Sequence, residues 1–122
     1  MSRDFQPFVS LDGATTVGPG AALDMEDLFR DFTLCVTTAG MATANPLSSI
    51  TVELEGSHDG QNWALLEIRT VTGSSRTTLH TANKAVTAPL VRYVRANLVA
   101  LTAGSGSPSV TASVAIAAGE GE

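Results

Sequence analysis

The sequence predicts an all-β chain folded as a single antiparallel β-sandwich, jelly-roll or immunoglobulin-like in its connections, with an extended N-terminal arm. Three observations carry this. Seventeen Ala, fifteen Thr, eleven Val, eleven Ser and eleven Gly among 122 residues are small, β-branched and turn-forming rather than helix-forming. Apolar residues recur with a period of two in several short runs, the signature of half-buried strands. Those runs are separated by turn-forming Gly, Asn, Asp and Pro at the spacing of β-sandwich hairpins. A chain of 122 residues makes one domain and buries roughly two-thirds of its unfolded surface, enough for a core without staples. No internal repeat is visible, so propellers and solenoids are excluded.

Taken in order, residues 1–27 read either as an arm or outer wrap that orders on a partner, or as an edge segment folded onto the chain's own domain. Pro7, Gly13, Gly18, Pro19 and Gly20 punctuate it, and the apolar pieces Phe5, Phe8, Val9 and Leu11 can pair along a sheet edge. Asp24-Met-Glu-Asp-Leu-Phe29 reads either as one helical turn, its leading acids suiting the helix dipole, or as a loop. The sandwich follows over residues 28–118. Phe32, Leu34 and Val36 face one way, with Thr33, Cys35 and Thr37 facing the other. Ile50, Val52 and Leu54 alternate with Thr51, Glu53 and Glu55. Trp63–Arg69, Arg76–Thr81 and Leu90–Leu101 are the next strands, and Val110, Ala112, Val114 and Ile116 mark the last. His58-Asp59-Gly60-Gln61 carries the Asp-Gly hairpin signal, and Ala103–Pro108 reads as a flexible tip. Residues 119–122 are a short acidic tail.

Charge limits the partners. Seven basic and twelve acidic residues give a net charge of −5, and the six Arg and the single Lys84 are scattered. A nucleic-acid binder needs a basic face to displace counterions, and none is present. Cys35 stands alone, so neither an internal disulfide nor a thiolate zinc cluster can form. Its place in an alternating run predicts a buried, inert thiol and suits a reducing cytoplasm. Met-Ser-Arg-Asp-Phe-Gln-Pro has no targeting character, and the quiet stretch Ser109–Ala118 is too short and too polar to cross a bilayer. No membrane association is expected.

The side chains that could support catalysis are sparse. His58 and His80 are far apart and neither stands at metal-ligand spacing from another candidate ligand; no nucleophile elbow, phosphate loop or zinc signature occurs. Glu53 and Glu55 share one strand face, the pattern of a solvated surface that discourages edge pairing. The expectation is a protein that is not an enzyme, with no catalytic residues, no cofactor and no metal.

The stretch Glu55-Gly-Ser-His-Asp-Gly-Gln-Asn-Trp-Ala-Leu-Leu66 and the later Val91-Arg-Tyr-Val-Arg-Ala-Asn-Leu98 are more specific. The first is a strand, a tight polar turn and a return strand opened by Trp63, whose bulk can cover one end of the core. The second is a central strand whose Arg92 and Arg95 can pair with Glu53, Glu55 or Glu67 across the sheet. The Gly-Ser-x-Asp-Gly-x-x-Trp turn with the Arg-Tyr-Val-Arg strand resembles the discoidin-like (galactose-binding-like) jelly rolls. It also resembles small β-sandwich proteins encoded in tailed-bacteriophage structural gene clusters. The resemblance spans residues 32–117, with its specific part confined to these two motifs.

The phage resemblance implies a virion component made in the host cytoplasm: a head decoration protein, often trimeric, bound to the major capsid protein on the capsid exterior. Phe5, Pro7, Phe8, Val9 and Leu11 of the arm are then the candidate partner contacts. A tail or neck location is the related alternative. The discoidin-like resemblance implies instead a carbohydrate-binding module, with Asp59, Trp63 and Tyr93 as candidate glycan contacts.

Overall fold

A computed structural model describes residues 8–29, 31–73, 78–85 and 91–116. Eight strands follow one another: β1 (Phe8–Ala14), β2 (Gly18–Phe29), β3 (Asp31–Ala39), β4 (Ser49–Ser57), β5 (Ala64–Thr72), β6 (Thr78–Ala85), β7 (Val91–Thr102) and β8 (Ser109–Ile116). They form two four-stranded antiparallel sheets, ordered β1-β8-β3-β6 and β2-β7-β4-β5. β1 pairs with β8, β2 with β7, β3 with β6 and β4 with β5. One long antiparallel ribbon, β1–β4 against β5–β8, is thus rolled up on itself. That connectivity is a jelly roll, and it decides between the two sandwich topologies that the sequence left open.

The period-two runs make the core. Phe32, Leu34 and Val36 of β3 face Ile50, Val52 and Leu54 of β4 across the sandwich, with Val110, Ala112 and Val114 of β8 and Val94, Ala96 and Leu98 of β7 completing it. All are buried, and full burial of each Val, Leu or Ile contributes about 1.5–3 kcal/mol relative to exposure. On β5, Glu67 and Arg69 stand in register with inward-facing Leu54 and Val52, an arrangement of inward charges that blunts an edge strand.

Five expectations need correction. Of the two readings of residues 1–27, the edge segment holds over the described residues 8–27 and the outer arm does not: β1 and most of β2 are edge strands of the sandwich, one in each sheet. Gly20 allows this, because a Cβ there would collide with the backbone of Ser10 where β1 crosses β2. Asp24–Phe29 is neither a helical turn nor a loop but the end of β2. Its alternation is broken because the register runs from Asp24↔Tyr93 directly to Phe29↔Val91, a multi-residue bulge in which Glu26 takes φ 64°. The Asp59-Gly60 turn is not a two-residue hairpin. Residues 58–63 separate the strands, and only Gly60 has positive φ, whereas a type I′ turn needs it at both central positions. Cys35 is only partly buried, because its side of β3 is the outer face. Ala103–Pro108 is not a flexible tip but is pinned by backbone hydrogen bonds from Ser105 to Pro46 (3.0 Å) and from Ser107 to Gly40 (2.9 Å). Phe5, Pro7 and the acidic tail 119–122 lie outside the described residues.

A cross-link between sheets reinforces the β1–β2 corner. The buried Ser10 hydroxyl of β1 accepts from the Ala96 amide of β7 at 2.8 Å and donates to the Ala21 carbonyl of β2 at 2.6 Å. It satisfies a backbone N–H beside the register shift between Pro19 and Ala22, where burial without a partner would be costly.

Candidate functional site at the β4–β5 end

The two sequence motifs meet at one end of the β2-β7-β4-β5 sheet. β4 ends in Ser57, which stands opposite Tyr93 of β7, itself opposite Asp24 of β2. Asp59 organises the β4–β5 loop. Its Oδ1 accepts from the amides of Gln61 (2.8 Å) and Asn62 (2.9 Å) and from the Ser57 hydroxyl (2.9 Å), and its Oδ2 accepts from Asn62 Nδ2 at 2.7 Å. These bonds favour the ionised form, the Asn62 amide foremost, and hold the carboxyl far below its usual range. Ser57 Oγ also accepts from the Gly60 amide at 2.9 Å. The motif's polar residues therefore build the loop's own scaffold.

The aromatics are engaged as well. Trp63 is half-buried and lies outside the apolar core, which corrects the expectation that it caps the core. Arg95 stacks over its ring at 4.0 Å from the centroid, a cation–π contact. The same guanidinium donates from Nε to Glu55 Oε1 at 2.8 Å, and Asn97 Nδ2 donates to Glu55 Oε2 at 3.1 Å. Glu55 and Arg95 are direct cross-strand partners, so this pairing was legible in the sequence. Arg92 takes a partner that the sequence did not offer. It donates to both oxygens of Asp24 (2.7 and 2.9 Å), and this keeps the Asp24 carboxyl below its usual range. Arg92 also lies 5.3 Å from the centroid of Tyr93, and a Cβ at Gly60 would rest in ordinary contact with that ring at 3.5 Å. Trp63 and Tyr93 each already carry an arginine over the ring.

Beside this loop opens a pocket of about 300 Å³, lined by Gly56, Ser57, His58, Asp59, Asn62, Ala64, Leu66 and Val91. Its floor is apolar and its rim polar. Sequence reasoning found Asp59 but missed the cavity, because Val91 reaches it from β7 through non-local pairing. Of the arm candidates, Leu11 is buried in the core at 5 % exposure and cannot serve a partner, while Val9 is 47 % exposed and Phe8 half-buried. His80 pairs with Val36 in the opposite sheet, away from His58. Among the described residues no group of three or more His, Cys, Asp or Glu could hold a metal ion. Nor, among them, is any helix long and apolar enough to cross a membrane.

No protein-family profile matches the chain, and no curated protein does either. A solved structure does resemble it: the SPBc2 prophage-derived protein YomS. The two share 13 % identity over 93 % of this chain and 94 % of that one, with a TM-score of 0.54. Identity that low with near-complete coverage speaks for a common β-sandwich fold.

Proposed function

We propose that this chain is a structural protein of a tailed-phage virion, most specifically a decoration protein bound as a trimer to the major capsid protein on the head exterior. The observation that carries the reading is the jelly roll shared along almost the whole chain with a prophage-derived protein. The side chains agree with a binding role. The polar residues of the candidate site hold each other, and large apolar side chains stand exposed on strands, namely Val9, Leu65, Ile68 and Val99. Several modest contacts repeated by a symmetric oligomer give useful avidity on a capsid lattice. The glycan reading has less support, because each candidate aromatic already carries a neighbour.

Light scattering of the purified chain, followed by co-sedimentation with undecorated capsids, tests the proposal. A trimer that sediments at a fixed ratio to the major capsid protein is expected. A chain that stays in the supernatant overturns it. Because β1 belongs to the sandwich, a deletion meant to test arm contacts must stop at residue 7.

A further inference from the structure

We propose that the pocket between the β4–β5 loop and the start of β7 seats one branched aliphatic side chain that a partner polypeptide presents beside a lysine or arginine. The inference rests on the binding role argued above, without depending on which virion protein is the partner.

The shape is the first argument. In register, Gly56 of β4 faces Ala64 of β5, so this cross-strand pair brings a single methyl group between them. Leu66 Cδ1 and Val91 Cγ1 close over Gly56, where a Cβ would stand 2.8 and 2.9 Å from them. Those two side chains and Ala64 form an apolar floor. At about 300 Å³ the space lies at the lower bound of small-ligand sites, with room for a branched aliphatic side chain and part of the backbone that carries it. Among the described residues no aromatic one lines it, so these residues offer no stacking surface for a sugar ring. Both Asp59 oxygens are already bonded within the loop, which leaves that group to act mainly as a fixed charge.

The charge is the second argument. Alongside Val91–Tyr93, the β2 bulge carries Asp24, Glu26 and Asp27, and Asp59 stands on the rim. Asp24 is paired with Arg92, so Glu26 and Asp59 leave this end acidic, with the His58 imidazole the other ionisable group on the rim. A cationic residue flanking the apolar anchor complements such a rim, and an acidic one is repelled.

Amide NMR titration of the full chain tests this with the capped peptides Lys-Leu-Lys, Lys-Ala-Lys and Glu-Leu-Glu. Lys-Leu-Lys should shift the Gly56, Ser57, Ala64 and Leu66 amides, binding about tenfold or more tightly than Lys-Ala-Lys, as burial of an isobutyl group predicts. Glu-Leu-Glu should bind more weakly than Lys-Leu-Lys. Ala64 is exposed, so Ala64→Leu should obstruct the floor of the pocket and abolish the shifts at an unchanged melting temperature; Ala64→Met repeats the test if the leucine variant melts lower. Equal binding of the leucine and alanine peptides, or of the basic and acidic ones, overturns the assignment. So do shifts at these amides from galactose with none from Lys-Leu-Lys. Peptide binding by a chain that ignores capsids would sink the virion reading alone. Flat peptide titrations with capsid binding undiminished by Ala64→Leu would sink the pocket alone.

Discussion

At one end of the sandwich the 40–48 and 103–108 segments lock into each other through their backbones, whereas at the other the β4–β5 loop folds onto its own side chains beside an open pocket. The locked end is organised by Ser48, which is fully buried. Its hydroxyl accepts from the Ala42 amide at 2.7 Å and donates to the Ala103 carbonyl at 2.6 Å, and its own carbonyl accepts from Gly73 at 2.9 Å. Gly104, at φ +58°, lies so near the Pro46 and Leu47 carbonyls that any Cβ would strike them. The open end uses one carboxylate, Asp59, for the same purpose, and it does so in solvent. Backbone interlock fills space and rigidifies; side-chain scaffolding holds a loop while leaving room beside it. A partner site is therefore expected at the second end, where little has to be displaced.

The largest effect is expected where that interlock is breached. Gly104→Val must place a β-branched residue at positive φ, costing roughly 1–2 kcal/mol, and must push apart two backbone segments as well. A total loss of about 3 kcal/mol or more in urea-unfolding stability is expected. Retention of the wild-type midpoint would show that the 103–108 segment is not held by these contacts, and the contrast between the ends would dissolve.

Trp63→Ala probes the open end and should cost less. The ring is half-buried on the outer face of its sheet, so its loss removes the Arg95 stack and part of its buried area. About 1–2 kcal/mol is expected, below the roughly 3–5 kcal/mol of a core aromatic. A loss equal to that of Gly104→Val would mean that Trp63 closes the core after all, and that the two ends are built alike.

The same contrast explains which parts of the molecule the sequence discloses. β3, β4 and β8 are legible because one face of each is buried along its length, so Phe32-Leu34-Val36, Ile50-Val52-Leu54 and Val110-Ala112-Val114 keep a strict period of two. β2 was hidden by Pro19, Gly20 and the acids at its end, whose bulge breaks the alternation. The roll of the chain was hidden too, because β1 pairs with β8 across nearly the full sequence and no local pattern encodes that. Within the candidate site, the Asp-Gly-x-x-Trp turn announced itself, as did the cross-strand partners Glu55 and Arg95. Arg92–Asp24 did not, since it needs β2 to be a strand. The pocket did not either, since it opens between the β4–β5 loop and Val91 on a distant strand.

The smallest effect, and the most discriminating, belongs to Asp59. Asn at this position keeps an oxygen for the Gln61 and Asn62 amides but loses the charge that those donors and the Ser57 hydroxyl favour. The folded carboxyl titrates far below its usual value of 3.8, so unfolding takes up a proton in acid. The stability contributed by the charge is thus fully present above about pH 5 and is lost progressively as pH falls through the ordinary carboxylate range and below. Asp59→Asn should therefore be less stable than wild type at neutral pH, by less than either variant above, with the gap narrowing visibly by about pH 3. Urea midpoints of both proteins across that range measure it. A gap that stays constant would mean that the loop is held by the shape of the side chain and not by its charge. The rim of the pocket would then carry a weaker field than the four hydrogen bonds imply, and the preference for a basic partner residue would have to rest on the β2 bulge alone.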